Sequence, residues 1–401
     1  MRERKLPFGY LVLAILRLGK ASIKRELDKF FQALGQMQKI TAGALTHARR
    51  KLLPEVFIAL NDTLVHNFYT YDSSIAIAKN GIQRILAVDG LRIELPETED
   101  IISEFGRANK QSDAKPLALG SSLFDIVNKV AIDFSLNPCS VSESHVAVKH
   151  LKHISNGDLL ILDRGYKSLW LMLAIVQTGA DFLIRLPSNA FKEVEYFLKS
   201  DLLEKIVTLQ PGIKACKQCL KLGLEAKPLK VRLIKVILDS GEKEVLVTSL
   251  LEDSLYPYSL FKELYHLRWG IEEEYKTIKC AIEVESFTGK TPHAIYQEFY
   301  ASLFLSNLQA IITREKDVQD EINRKSKNRK YDYQENRTSA LYYVKEKIVS
   351  LFIENSIEQI IEFIKNKIVQ DILPIRPGRQ YVRKPSNYRL QKYRANLRAI
   401  A

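Results

Sequence analysis

The chain has 401 residues, 46% of them hydrophobic and 27% charged, which excludes disordered and collagen-like proteins and suffices for two or three domains around a sizeable core. Lys and Arg number 60 against 47 Asp and Glu, a formal charge of +13 that points to a polyanionic partner. The charge is uneven: residues 1–55 carry +8, residues 372–401 another +8, and the 316 residues between them −3.

Residues 1–80 read as a helical N-terminal region. The apolar run Leu6–Leu16 behind basic Arg2, Arg4 and Lys5 looks like a secretory signal, but Arg17, Lys20, Lys24 and Arg25 follow at once without a small-x-small cleavage site. A bilayer span needs about 20 apolar residues, so this run is expected to be a buried helix. Helical spacing recurs in Ile23, Leu27, Phe30, Phe31 and Leu34, and again in Val56, Leu60, Leu64 and Phe68. Between them Thr41 can cap a helix whose later turns carry His47, Arg49, Arg50 and Lys51, the composition of a helix lying on DNA and equally of a solvated basic face.

The periodicity changes near residue 81. Ile85–Val88 is a short apolar run ending in Asp89-Gly90, with Leu91–Leu95 suited to be its hairpin partner. Leu117–Phe124 and Val130–Phe134 read as strands, Glu143–Ile154 as a helix, Leu159–Leu162 as a buried strand ending in Asp163, Leu169–Gln177 as a helix and Asp181–Leu186 as a strand. Strands followed by alternating helix and strand predict an α/β core with a mixed sheet over residues 81–186. Residues 187–252 read as a β-rich insertion, with Lys230–Leu238 and Glu244–Leu250 as strands. Residues 253–315 return to helix, and residues 316–401 read as a helical C-terminal region with a basic loop at 324–330, helices near 336–352 and 356–371, and a basic tail.

Four cysteines in so long a chain make no disulfide framework, and a reducing, cytoplasmic compartment is the default. Cys216-x-x-Cys219 lacks the second ligand pair that a zinc ribbon needs. His150 and His153 have the spacing of neighbours on a helix and are read as solvent-facing.

Asp89 and Asp163 each follow a short apolar run. On neighbouring strands, their carboxylates would stand side by side at the C-terminal ends of the sheet, where α/β proteins place their sites. Two ionised carboxylates so close repel unless a cation lies between them, and all-oxygen ligation suits Mg²⁺ or Mn²⁺. Each Asp taken singly also fits an ordinary turn or cap residue. Along the segment from Tyr265 to Lys279, Tyr265, Arg268, Glu272 and Lys279 fall within an arc of about 60° at 100° per residue. Register thus selects Glu272 from the triplet Glu272-Glu273-Glu274. A plain i,i+4 salt bridge from Arg268 to Glu272 gives the same pattern.

Tyr265-x2-Arg268-x3-Glu272-x6-Lys279, with Trp269 after the Arg and Ile271 before the Glu, resembles the Tyr-Arg-Glu-Lys signature of bacterial transposases of the insertion-sequence-four family. Val88-Asp89-Gly90 resembles that family's first Asp motif, Leu162-Asp163-Arg164-Gly165-Tyr166 its second, and Val247-Thr248-Ser249-Leu250 the strand closing its β insertion. The residues after Asp89 lack the small hydroxyl residue often found there. The resemblance extends from the helical N-terminal region to Ser339-Ala340-Leu341-Tyr342.

The resemblance implies a ribonuclease-H-like catalytic core in which Asp89, Asp163 and Glu272 hold two Mg²⁺ ions, replaceable by Mn²⁺, for end cleavage and strand transfer in cut-and-paste transposition. It implies that Tyr265, Arg268 and Lys279 grip phosphates near the scissile bond, with Trp269 stacked on a displaced base or buried as an anchor. The partner would be double-stranded DNA, both the element's terminal repeats and the target, bound by a homodimer in the cytoplasm at the nucleoid, without a membrane. Residues 1–80, including Arg49, Arg50 and Lys51, would read the ends, and the tail, including Arg383 and Arg389 among its tyrosines, would add DNA contacts. A nuclease of the same fold, or a relic that binds DNA without cutting it, would carry much of the same pattern.

Overall fold

The computed structural model describes residues 6–19, 21–36, 40–72, 75–76, 81–107, 114–237, 241–276, 285–327 and 329–376. Four helices come first: α1 (Phe8–Arg17), α2 (Ile23–Ala33), α3 (Ala42–Arg49) and α4 (Glu55–Tyr71). Then follow β1 (Arg84–Glu94), α5 (Glu99–Phe105), β2 (Leu117–Asp125), β3 (Val130–Pro138), α6 (Glu143–His150), β4 (Asp158–Leu162), α7 (Leu169–Gln177) and β5 (Asp181–Leu186). Next are α8 (Lys192–Lys199), β6 (Glu204–Leu209), α9 (Ile213–Lys221), β7 (Leu229–Ile237), β8 (Lys243–Thr248), α10 (Leu260–His266) and α11 (Trp269–Lys276). The remainder is α12 (Pro292–Arg314), α13 (Lys316–Ser326), β9 (Tyr333–Glu335), α14 (Arg337–Ile353), α15 (Ile357–Gln370) and β10 (Ile372–Pro374). These elements form two compact units, one of residues 1–74, 93–118 and 275–401, the other of residues 75–92 and 119–274.

The first unit is helical. Its core joins Leu11–Leu16 of α1 and Phe30 and Phe31 of α2 to Phe304 and Leu305 of α12, Val344 and Ile348 of α14, and Ile364 and Ile368 of α15. Because α1 is enclosed over most of its circumference, its sequence is a continuous apolar run rather than a stripe. Each Leu or Ile buried there contributes roughly 1.5–3 kcal/mol relative to an exposed one. The Thr41 cap is as the sequence predicts, and α12 has one that it does not predict. The Thr41 hydroxyl accepts from Ala44 N–H at 3.2 Å to open α3, and Thr291 accepts from Ala294 N–H at 3.3 Å to open α12, with Pro292 in its first turn.

The second unit is built on a mixed eight-stranded sheet of order β3-β2-β1-β4-β5-β8-β7-β6. β1 pairs parallel with β4 and β4 parallel with β5, while β5 with β8, β8 with β7 and β7 with β6 are antiparallel. The first five strands have the order of a ribonuclease-H-like sheet. The central strands read as unbroken apolar runs because both faces are covered: Leu86, Ala87, Leu159–Leu162 and Phe182–Ile184 are all buried. The three strands of the expected β-rich insertion, β6, β7 and β8, extend the same sheet.

Two local expectations are corrected. β1 runs through Asp89-Gly90 to Glu94 as one strand, so Leu91–Leu95 is its continuation and not a hairpin partner. Gly90 shows no positive φ, and nothing turns the chain there. His150 is fully buried rather than solvent-facing: its Nε2 lies 2.9 Å from Ser121 Oγ and its Nδ1 2.8 Å from Asp133 Oδ2. His153 lies 3.5 Å from the same Asp133 oxygen, so the two histidines converge on one carboxylate.

Candidate active site

The β1–β4 register pairs Ala87 with Ile161. Carried on by two residues, it sets Asp89 level with Asp163, on strands about 4.8 Å apart. The β4–β5 register pairs Leu162 with Ile184, which sets Arg185 level with Asp163 on its other side. Three neighbouring strands thus set two carboxylates and a guanidinium level with one another, Asp89 within β1 and Asp163 just past the end of β4.

Each group has defined partners. Asp163 Oδ1 accepts from Arg164 N–H at 2.6 Å, from Arg185 Nε at 3.0 Å and from Arg185 Nη2 at 2.8 Å. The Arg185 Nη1 donates to Glu244 on β8. Burial is the largest influence on the Asp163 carboxyl and pushes it up, but the Arg164 N–H and the Arg185 guanidinium together outweigh it and hold the group below the usual carboxylate range. Asp89 accepts from Gly90 N–H at 2.8 Å and is pushed up to about 6, chiefly by burial, with Glu143 and Asp163 adding repulsion and Arg268 opposing it.

The segment bearing the Tyr-Arg-Glu pattern is two short helices, not one. α10 ends at His266 and α11 begins at Trp269. Across the join the bonds tighten to three-residue spacing, with Arg268 N–H donating to Tyr265 O at 3.1 Å, Gly270 N–H to Leu267 O at 2.9 Å and Ile271 N–H to Arg268 O at 3.2 Å. A β-carbon at Gly270 would stand 2.9 Å from Ile126 Cγ2, so glycine is what lets this join pack against the end of β2. Tyr265 and Arg268 still share a face. The Tyr265 hydroxyl donates to Asp163 Oδ1 at 3.4 Å, and the Arg268 guanidinium lies 5.9 Å from the Tyr265 ring centre and 5.6 Å from that of Trp269. The Tyr265 phenol is held well above its ordinary range, first by burial and then by the Asp163 charge.

Glu272 accepts from Arg268 Nη2 at 2.8 Å, the i,i+4 pair that the spacing also allowed. Of the acidic triplet Glu273 is exposed and Glu274 buried, so Glu272 alone is half-buried on the Arg268 side. Arg268 is 6% exposed, and its Nε has no partner among the described residues. Trp269 is 47% exposed, available to a base rather than buried as an anchor.

Other expected contacts fall elsewhere. Arg49 is buried: its guanidinium donates to Gln297 Oε1 at 2.9 Å, Glu298 Oε1 at 2.8 Å, Thr288 Oγ1 at 3.1 Å and Ala294 O at 3.2 Å. It ties α3 to α12 and is not presented to DNA, while Arg50 and Lys51 beside it are exposed. Lys279, Arg383 and Arg389 lie outside the described residues. Cys216 is exposed and Cys219 buried, both as free thiols. Arg185, Glu244 and Glu143 were missed by sequence reading. An Arg inside the apolar run Asp181–Leu186 is the one signal that could have drawn attention to Arg185.

The carboxylates of Asp89 and Asp163 fit a hard divalent cation: oxygen-only donors, level on adjacent strands, with repulsion that a cation would relieve. The expected convergence of three carboxylates is a different matter. Among the described residues no three His, Cys, Asp or Glu side chains are grouped to hold a metal ion, and Glu272 is turned to Arg268.

A sheet of this order, with aspartates level on adjacent strands and a Glu on a following helix, has the layout of a nucleotidyl-transfer enzyme of the DDE class. The family model described as the transposase DDE domain matches residues 80–308, more than half of the chain. The chain belongs to the DDE transposase family. It is 24% identical over 321 residues to the transposase InsG for insertion sequence element IS4 of Escherichia coli strain K12, covering 77% of this chain and 70% of that protein. Among solved structures it is similar to the piggyBac transposase in a synaptic complex with hairpin DNA, at 14% identity and a TM-score of 0.44, covering 93% of this chain and 76% of that one. The chain is therefore a transposase, a DNA-binding enzyme of a family that works with divalent metal ions. No helix of the described residues is long and apolar enough to cross a membrane.

Proposed function

We propose that this transposase performs cut-and-paste transposition of its insertion sequence, with Asp89, Asp163 and Glu272 as the residues that hold Mg²⁺, or Mn²⁺ in its place, and with a homodimer in the cytoplasm assembling on the two element ends. The observation that carries this reading is the level placement of Asp89 and Asp163 on neighbouring parallel strands, with the Tyr265 hydroxyl on Asp163 and the Arg268 charge acting on both. Two bound cations would supply Lewis acidity and neutralise the charge that builds on the transferring phosphate.

The protein's own groups do the rest. Arg268, with its unpartnered Nε, takes phosphate oxygens, the planar guanidinium fixing orientation as well as charge. The Tyr265 phenol, kept protonated far above neutral pH, donates a hydrogen bond and takes no proton. Trp269 supports a displaced base beside the scissile bond. Lys279 adds a further phosphate contact. In the helical unit Arg50 and Lys51 contact the element's ends, and Arg383 and Arg389 in the basic tail add contacts of the sequence-independent kind.

The test is Asp163→Asn in the full chain, assayed on DNA carrying the inverted repeats that flank the coding sequence. Binding is expected to persist while Mg²⁺-dependent cleavage and strand transfer vanish. Cleavage surviving in that variant would sink the assignment.

A further inference from the structure

The last strand of the β-rich insertion reaches the candidate active site through one side chain. In the antiparallel pairing of β5 with β8, Arg185 lies opposite Leu246. Side chains alternate along a strand, so Glu244, two residues before Leu246, shares the face of Arg185 as its diagonal neighbour, a spacing that two long side chains can bridge. The Glu244 carboxylate accepts from Arg185 Nη1 at 2.5 Å, and the two side chains are 16% and 19% exposed. Among the described residues Glu244 has no other ion-pair partner.

This contact completes a clamp. Arg185 donates from Nε and Nη2 to Asp163 and from Nη1 to Glu244, so all three nitrogens of the planar guanidinium are engaged by two carboxylates. Every described donor to the Asp163 side chain falls on one oxygen. The Arg164 N–H, both Arg185 nitrogens and the Tyr265 hydroxyl meet Oδ1, and none meets Oδ2. Which way the Asp163 carboxylate is rotated, and which oxygen is left open, therefore depends on where the guanidinium sits. The same guanidinium lies 5.8 Å from the Tyr265 ring centre. Held by Asp163 alone, a guanidinium on its long stem would be free to swing together with that carboxylate. A second carboxylate on β8 removes that freedom.

We infer that Glu244 is a positioning residue of this transposase: it anchors Arg185 and, through Arg185, fixes the orientation of the Asp163 carboxylate. The inference rests on the proposed role of Asp163. It gives the β-rich insertion a part in the chemistry, because β8 braces the end of β4 from across β5.

The test compares single-turnover cleavage of DNA carrying the flanking inverted repeats with affinity for the same DNA, in the full chain. Glu244→Gln removes the charge and keeps the shape. It is expected to slow cleavage by roughly 10-fold, the lower end for loss of an orienting partner, with DNA affinity and the circular dichroism spectrum unchanged. Glu244→Asp, which keeps the charge but withdraws it by one methylene, should fall between. In the chain without DNA, the Arg185 Nε–H resonance, assigned by its loss in Arg185→Lys, is expected to exchange faster with water in Glu244→Gln. That readout is independent of cleavage. Because Glu244 acts through Arg185, placing Glu244→Gln on Arg185→Lys should slow cleavage by less than about a further twofold.

An undiminished slowing in the Arg185→Lys background would overturn the inference, since Glu244 would then act on its own. Equal losses of cleavage and DNA affinity, or an unchanged Arg185 Nε–H resonance, would also overturn it. Wild-type cleavage by Glu244→Gln while Asp163→Asn no longer cuts would overturn it and leave the Asp163 reading standing. Wild-type cleavage by Asp163→Asn would overturn that reading itself, and the role of Glu244 with it.

Discussion

Asp163 and Arg185 stand level on neighbouring parallel strands, and one carboxylate oxygen accepts both the Nε and the Nη2 hydrogens of the guanidinium, at 3.0 and 2.8 Å. Arg185 therefore does two things at once: it keeps Asp163 ionised and it fixes where that carboxylate points. Lysine reproduces the charge without the fork. Arg185→Lys is expected to slow single-turnover cleavage by about 100-fold, the scale of losing one preorganised charged donor, with a much smaller loss of DNA affinity. Equal losses in cleavage and binding would show Arg185 to be only a DNA contact.

Asp89 gives a pH dependence of opposite sign to that of Asp163. Its folded-state value of about 6 lies above the ordinary 3.8, so the cation-free fold binds a proton that the unfolded chain releases. Its contribution to stability is full below about pH 4 and is lost as the pH rises through 6. Asp89→Asn removes that penalty, and the melting temperature of the cation-free variant at pH 8 is expected to exceed that of wild type by a few degrees. Differential scanning calorimetry in a chelator checks this. Asp163, held low, contributes stability above its ordinary range and loses it as the pH falls, so Asp163→Asn is expected to lower the same melting temperature.

Arg49, Arg50 and Lys51 are adjacent in sequence and separate in consequence. Arg49→Ala strands the carboxylate of Glu298 in a site where the two side chains are 5% and 11% exposed, and is expected to cost about 3–5 kcal/mol in urea unfolding. Arg50→Ala and Lys51→Ala are expected to stay within about 0.5 kcal/mol of wild type while weakening DNA binding. The reverse pattern would mean that the exposed face of α3 is not the one that meets DNA.

The basic tail is expected to act through phosphates without reading sequence. Truncation after Arg376 removes seven Lys and Arg. It should flatten the dependence of log affinity on log salt, by about 0.9 for each phosphate that the tail no longer neutralises, equally for specific and random DNA. A loss confined to specific DNA would assign the tail to end recognition instead.

Much of the site was legible because strand chemistry announces itself. Ile85–Val88 before Asp89 and Leu159–Leu162 before Asp163 are runs of the kind that a doubly covered sheet buries, while their register is supplied by the pairing of β1 with β4. Glu272 was separated from its two neighbours by helical register even though the helix breaks at Leu267-Arg268, because the tightened stretch spans only one turn of chain. Residues whose meaning depends on long-range contact were not legible. Arg49 looks like any basic helix residue until α12 brings Gln297 and Glu298 to it, and His150 looks solvated until β2 and β3 supply Ser121 and Asp133. Glu143, whose charge pushes Asp89 up, is silent in the sequence for the same reason.

The most direct measurement is anomalous scattering from Mn²⁺ in crystals of the protein bound to DNA carrying its own terminal repeats. The expected result is manganese peaks bounded by the carboxylates of Asp89, Asp163 and Glu272 at the scissile phosphate. Peaks elsewhere on the chain, or none at Asp89 and Asp163 while the crystals remain competent to cut, would contradict the assignment.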